Sequence, residues 1–305
     1  MKKYKPKVSI IINCFNGELF LEKCLLSIFR QSYKNWEIIF WDNCSTDNSK
    51  NIFFQKIKNK KFKYFKAKKF TNLYAARNLA IKKAKGEIIM FVDVDDEWFP
   101  NKIKKQVSIF SKEKKINMIF TNFIREKNIL FYKYKKKNSR KKLKNFLSVE
   151  DFLKFYPAAC SSIALRKKGF NLERKLFNEN LDMISDYDLV IRHAINNKIY
   201  CINDPLLLYR EHTNQLSRQK FIVQINQFLK WYKGINKNNN FIMLKNFHHL
   251  TSKKIFLNNL KDLHRKKNII NLFKKIKGGK DLKSKIKLII FFFFPKIFIN
   301  YFIST

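Results

Sequence analysis

Short apolar runs and amphipathic stretches take turns along the N-terminal part of the chain. Residues 8–12 are apolar and rich in β-branched side chains, and Leu21, Cys24, Leu25 and Ile28 follow at helical spacing, which predicts strand, loop and helix. Residues 36–41 repeat the strand signal, Ser45 and Thr46 offer hydroxyl caps for a second helix, and 62–65 predict another short strand. The Ala-rich stretch 74–84 predicts a helix stopped by Gly86. Residues 87–92 are then almost continuously apolar, as in a strand buried on both faces. Pro100 opens a helix with Ile103, Val107 and Phe110 on one side, and 118–122 predict a fifth strand.

Strands and helices alternating at these lengths predict an α/β fold, a mostly parallel central sheet flanked by helices, with ligands bound beyond the carboxyl ends of the strands. Asp42 closes the second strand and Asp93 the fourth, so both carboxylates are expected at one crevice. Each also fits an ordinary turn or capping aspartate.

The later sequence differs. Residues 132–145 carry too much like charge to pack and predict an exposed excursion. After about residue 217 the pattern becomes helical and Lys-rich, which divides the chain into a domain over 1–217 and a helical, basic region over 218–305. The last residues, 285–305, flank apolar positions with lysines, but Pro295 and Lys296 interrupt them before the roughly 18 residues that a bilayer span requires. That tail suits the membrane interface, peripheral on an anionic inner surface.

Composition changes the picture in two ways. Across 305 residues, 65 Lys and Arg against 23 Asp and Glu give a formal net charge of +42, which favours anionic partners. An AT-biased genome also explains the charge, because Phe, Ile, Asn and Lys are abundant and Gly and Pro scarce. Five cysteines without any CxxC pair argue against a disulfide framework or zinc site and fit a reducing compartment. The basic start lacks a long apolar segment and a cleavage site, so it reads as a first strand and not as a signal peptide.

Against this basic background, Asp93, Asp95, Asp96 and Glu97 cluster directly after the fourth strand. Such a cluster either neutralises nearby cations or holds a divalent one. Asp93 and Asp95, separated by one residue, can turn towards one hard cation, and Mg2+ or Mn2+ suits such oxygen ligands when substrate phosphates complete the shell. Ser185 and Asp188 have capping-box spacing, which predicts Asp186 in the first turn of a helix whose positive end favours its ionised form.

The ordered stretches VSIIINCFNGELFLEKCLLSIFRQSYKNWEIIFWDNCSTDNS, AARNLAIKKAKGEIIMFVDVDDEWFP, SDYDLVIRHA and YREHTNQLS resemble the inverting glycosyltransferases of family 2, which have the GT-A fold. The resemblance covers about residues 7 to 217. It implies that Asn13, Phe15, Asn16, Asp42, Arg77 and Asp93 border the donor nucleotide, and that Asp93 and Asp95 form the metal-binding DxD. It further implies that Asp186 is the catalytic base, with His212 near the metal and Arg210 near the diphosphate. His212 and Arg210 also fit structural roles. The sequence departs from the family pattern where P-x-Y-N becomes Asn13-Cys14-Phe15-Asn16, where D-D-G-S becomes Asp42-Asn43-Cys44-Ser45, and where Glu-Asp becomes Ser185-Asp186.

The implied activity is metal-dependent transfer, with inversion, from a nucleotide sugar, UDP-linked by family frequency, to a glycan or lipid-linked acceptor in bacterial surface-polysaccharide synthesis. The rival is a basic nucleic-acid-binding protein, prompted by the charge and by interleaved aromatics at 61–69, but it leaves the acidic crevice unexplained. No specific nucleic-acid partner is therefore expected. A nicotinamide enzyme is excluded more firmly, because the first loop, NCFNGE, lacks GxGxxG.

Overall fold

The computed structural model describes residues 5–56, 61–129, 132–133, 137–138, 143–212, 214–216, 223–224, 226–228 and 230–231. In chain order the elements are β1 (Val8–Cys14), α1 (Glu18–Phe29), β2 (Trp36–Asp42), α2 (Ser49–Lys56), β3 (Phe62–Lys66), α3 (Leu73–Ile81) and β4 (Ile88–Asp93). There follow β5 (Glu97–Trp98), α4 (Lys102–Lys112), β6 (Met118–Ile129), β7 (Tyr132–Lys133), β8 (Lys137–Asn138) and β9 (Phe146–Leu147). The series ends with α5 (Val149–Lys154), β10 (Ala164–Arg166), α6 (Ser185–Ala194) and β11 (Ile199–Glu211).

The main sheet runs β3-β2-β1-β4-β10-β6-β11-β5. Its first four strands are parallel, with Asn13 in register with both Trp41 and Asp93. The near-continuous apolar runs follow from burial on both faces. Ile10, Ile12, Ile38, Phe40, Met90 and Val92 pack beneath α1, α2 and α4, while Ile11, Ile39, Trp41, Ile89 and Phe91 pack beneath α3, α5 and α6. Beyond β4 the sheet is mixed, because β10 runs antiparallel to both β4 and β6 before β6 and β11 resume parallel pairing. Strand β10 is not signalled by an apolar run bounded by turn residues, whereas β11 carries two short apolar runs, 199–202 and 206–209, on either side of Asn203-Asp204-Pro205.

Local chemistry corrects several boundaries. Helix α3 begins at Leu73 because the Asn72 side chain caps it, accepting from the Ala75 N–H at 2.9 Å. Gly86 lies where a Cβ would come within 2.6 Å of the Ser9 backbone nitrogen, so its lack of a side chain lets the chain enter β4 tight against β1. Ser45 and Thr46 do not cap α2. The Asp47 carboxylate accepts from the Ser49 N–H at 3.0 Å instead, while Ser45 and Thr46 tie the second loop to Asn16.

The charged stretch 132–145 enters the sheet through β7 and β8, and much of its remainder lies outside the described residues. Phe228 and Trp231 join the core beside α6, with Tyr187 against both rings. The expected interfacial tail at 285–305 lies outside the described residues. Among the described residues no helix is long and apolar enough to cross a membrane.

Candidate active site

The carboxyl ends of β1, β2 and β4 meet at one edge, and the two loops leaving β1 and β2 lace together there. The Asn16 N–H donates to Ser45 Oγ at 3.1 Å, and Asn16 Oδ1 accepts from the Thr46 N–H at 2.9 Å. Asn16 has φ of 51° and Cys44 φ of 68°, and a small polar residue such as Asn tolerates that left-handed backbone. These bonds fix the loop that presents Phe15, which is half exposed and lies 4.7 Å, centroid to centroid, from the exposed Phe70. Asn13, two residues earlier on β1, keeps its Nδ2 buried without a hydrogen-bond partner among the described residues.

Asp42 reaches the same edge but is closed off. It is 1% exposed, with Oδ1 accepting from the Ser45 N–H at 2.7 Å and Oδ2 accepting from the Tyr64 hydroxyl. Its carboxylate therefore organises the loop that the nucleotide is expected to border. Asn43 extends this scaffold, donating to the Thr71 carbonyl at 2.7 Å and accepting from Thr71 Oγ1 at 3.1 Å, which holds the segment carrying Phe70.

The acidic cluster divides between two buried arginines. Arg77, on α3, pairs with Asp93 Oδ1 and lies over the Tyr74 ring at 5.1 Å. Burial pushes the Asp93 carboxyl above the usual range, Arg77 pulls it down, and Asp95 pushes it up. Arg210, on β11, pairs with Glu97, approaches Glu126 at 3.4 Å and donates to the Asp95 carbonyl at 2.7 Å. It is 3% exposed, so the expected diphosphate contact meets a guanidinium already committed to its own fold. Asp96 is buried too, accepting from the Arg210 N–H at 3.2 Å. Burial, then the neighbouring Asp95 and Asp93 charges, push its carboxyl well up.

Asp95 Oδ2 lies 3.0 Å from His212 Nε2, and Phe20 packs on the His212 ring at 4.8 Å. Among the described residues the other oxygens of Asp93 and Asp95 have no protein hydrogen-bond partner. The described residues hold no group of three or more His, Cys, Asp or Glu side chains arranged as a metal site. Two carboxylates with open oxygens nevertheless fit Mg2+ or Mn2+, which bind through one or two carboxylates and leave their remaining positions to water and substrate phosphates. A cation there would also relieve the repulsion between the two carboxylates.

Asp186 stands in the first turn of α6 as expected, half-buried, and its Oδ1 accepts from the Tyr74 hydroxyl at 2.7 Å. The expected capping box does not form. Ser185 is already helical with its Oγ buried and, among the described residues, unpartnered, and Asp188 turns away to accept from Arg192 Nε at 2.8 Å and Trp231 Nε1 at 3.0 Å. Helix α3 instead grips the approach to α6. Asn78 exchanges hydrogen bonds with the Phe177 backbone at 2.9 and 3.0 Å, and Asn72 Nδ2 donates to the Glu179 carbonyl at 2.8 Å.

The structure thus brings Asn13, Phe15, Asn16, Arg77, Asp93, Asp95, Asp186 and His212 to one edge, with Asp42 and Arg210 enclosed behind it. Sequence reasoning did not nominate Tyr64, Phe70, Tyr74 or Ser161, whose Oγ accepts from the Asp93 N–H at 3.0 Å. Tyr64 and Phe70 lie within or beside the Lys-aromatic stretch 61–69, a pattern that points to charge and not to this site, and Ser161 lies in no such pattern. Tyr74 alone carried a signal, standing on the same helix face as Arg77 three residues later.

The sequence profile of Glycosyl transferase family 2 matches residues 9–195. The UDP-Glc:alpha-D-GlcNAc-diphosphoundecaprenol beta-1,3-glucosyltransferase WfaP of Escherichia coli is 30% identical over 223 residues, covering 72% of this chain and 83% of that protein. The putative teichuronic acid biosynthesis glycosyltransferase TuaG of Bacillus subtilis is 32% identical over 125 residues, 40% of this chain and only 49% of its own length. In three dimensions the chain superposes on Staphylococcus aureus TarS in complex with UDP-GlcNAc with a TM-score of 0.58 at 15% identity, covering 87% of this chain and 89% of that one. It superposes on the mannosyltransferase PcManGT of Pyrobaculum calidifontis, in complex with GDP-Man and Mn2+, with a TM-score of 0.63 at 14% identity, over 99% of this chain and 82% of that one. At those identities the likeness establishes the GT-A fold, and the profile match establishes the family: the chain belongs to glycosyltransferase family 2.

Proposed function

We propose that the protein transfers a sugar from a nucleotide sugar, UDP-linked, to a hydroxyl of a glycan or lipid-linked acceptor, with inversion at the anomeric carbon, in bacterial surface-polysaccharide synthesis. The observation that carries this reading is the pairing of two kinds of carboxylate at one sheet edge. Asp93 and Asp95 keep open oxygens suited to a cation that would hold the diphosphate, and Asp186 comes from a separate element, at a positive helix end. The names of WfaP and of the TarS complex support a UDP-sugar donor, and that of WfaP supports a lipid-diphosphate acceptor.

In the proposed reaction the acceptor hydroxyl oxygen bonds to the anomeric carbon from the face opposite the diphosphate. The bond from that carbon to the diphosphate oxygen breaks, and the hydroxyl proton passes to Asp186. Asp93 and Asp95 would hold Mg2+ or Mn2+, which would offset charge on the departing diphosphate. Arg77 holds Asp93 in place, His212 holds Asp95, and Phe15 offers an apolar ring to the nucleotide. The Lys-flanked apolar residues of 285–305 support peripheral contact with an anionic membrane.

The test is Asp186→Asn, which keeps size and removes the proton acceptor. Transfer is measured with UDP-Glc, UDP-GlcNAc and GDP-Man donors, Mn2+ and GlcNAc-diphospholipid or glycan acceptors, beside donor affinity by calorimetry. The expected result is a loss of roughly a hundred- to ten-thousandfold in transfer with donor affinity unchanged. Near-normal transfer would overturn the base assignment.

A further inference from the structure

We infer that Tyr74 is a positioning residue for transfer, its hydroxyl anchoring Asp186 by Oδ1 so that Oδ2 is the oxygen turned to the acceptor proton. This rests on Asp186 serving as the base.

Tyr74 gives Asp186 its only hydrogen bond among the described residues, at 2.7 Å. A half-buried carboxylate at a helix start, with no capping role, otherwise rotates about its side-chain torsions, and a base that must meet one hydroxyl gains from a fixed orientation. Tyr74 is suited to fix it. It is 4% exposed, with its ring 5.2 Å from Phe177 and the Arg77 guanidinium over its face. Burial, and then the negative charge of Asp186, push its hydroxyl well above the usual tyrosine range, so the group stays protonated and donates at any working pH.

The support behind Tyr74 is equally specific. Asn72 and Asn78, on either side of it along α3, bind the backbone of 177–179, the segment that leads into α6. The tyrosine and the aspartate are therefore set relative to each other by backbone contacts as well as by their own bond. Arg77 leaves the same helix one turn later and holds Asp93, so a single turn of α3 positions a carboxylate on the donor side and another on the acceptor side. The two have separable consequences: Arg77 bears on donor binding, Tyr74 on the proton.

The experiment uses the full chain with Mn2+ and the donor and acceptor that the wild type turns over fastest in the panel above. It compares wild type, Tyr74→Phe, Asp186→Asn and the double variant. Tyr74→Phe keeps the buried ring, and unchanged donor affinity by calorimetry verifies that the site is folded. The expected result is a fall in kcat of roughly ten- to a hundredfold, the scale of one hydrogen bond to a charged group, with donor KM unchanged. In the Asp186→Asn background the same change should cost nothing further, because Tyr74 acts through Asp186. If Asp186→Asn lowers transfer by the expected roughly hundred- to ten-thousandfold while Tyr74→Phe leaves kcat unchanged, raises only donor KM, or costs as much in the double variant, the positioning role is overturned and the base assignment stands. If Asp186→Asn transfers normally, both fall together.

Discussion

Lys102 offers a quantitative test of the packing beneath the site. It opens α4, has no solvent exposure, makes one side-chain hydrogen bond, to Gln106 Oε1 at 2.7 Å, and sits 4.3 Å from the centre of the Trp98 ring. An ammonium has three donors to satisfy and loses its hydration there, so burial pushes the Lys102 pKa from 10.5 down to about 7. Between those values the unfolded chain holds a proton that the folded chain lacks, and stability therefore rises with pH across that window. The stabilising difference is fully present above 10.5 and is lost as pH falls through about 7. At ~1.4 kcal/mol per pH unit, charging this lysine in place costs ~5 kcal/mol over the whole window. Lys102→Met keeps the length and removes the charge, at the expense of ~1–3 kcal/mol for leaving the Gln106 carbonyl unpartnered. Urea unfolding followed by tryptophan fluorescence should find Lys102→Met more stable than wild type at pH 7 by ~1–3 kcal/mol. That advantage should shrink by ~3 kcal/mol between pH 7.5 and 9.5. The difference between the two proteins isolates this group from the other lysines and tyrosines that titrate in the same range. A difference that stays flat with pH would refute the reasoning.

Two other changes test different parts of the molecule. Asp95→Asn should remove most of the Mn2+ dependence of donor affinity, measured by calorimetry with and without chelator, and equal wild-type affinity in both conditions would refute the DxD assignment. His193, stacked 4.8 Å from Phe170, has its pKa pushed down to about 4 by burial and then by Arg192, so the unfolded chain takes up a proton first and stability falls as pH drops from 6.5 towards 4. His193→Phe should lessen that loss by ~3 kcal/mol in urea titrations, and an unchanged acid slope would refute it.

The first half of the fold was legible because its strands are buried on both faces and its helices on one. Continuous runs such as 87–92 and the helical spacing of Ile103, Val107 and Phe110 report those two environments directly. The second half was less legible because its pairings are long-range. Strand β10 has three residues whose partners are Ile88 to Met90 on one side and Met118 and Ile119 on the other, and no local pattern announces such a strand. The DxD aspartates and Asp186 stood out by type, position and resemblance. Their supporting residues did not, since Tyr74 and Ser161 belong to the site through bonds to Asp186 and Asp93 that cross 112 and 68 residues of sequence. The expected capping box failed for a related reason: Ser185 and Asp188 have the spacing, but Arg192 one turn on and Trp231, 43 residues away, offer the Asp188 carboxylate stronger partners than the helix end does.

The four neighbouring carboxylates explain how an acidic crevice survives in a chain of net charge +42. The surface lysines have little part in it, for the arginines that meet the cluster are both buried, one on α3 and one on β11. Arg210 takes Glu97, and its backbone takes Asp96, which makes those two acids part of the join between β11 and the turn after β4. Arg77 takes a single oxygen of Asp93, and His212 a single oxygen of Asp95. Two of the four acids are thus spent on holding the turn, and the other two are held by one oxygen each. Replacing Arg77 with an uncharged residue should then leave the partly exposed Asp93 carboxylate without its cation and destabilise the fold, whereas a divalent cation at the open oxygens should restore part of that loss. Thermal melts of Arg77→Met with and without Mn2+ read both effects, and a melting temperature insensitive to Mn2+ would separate Asp93 from metal binding.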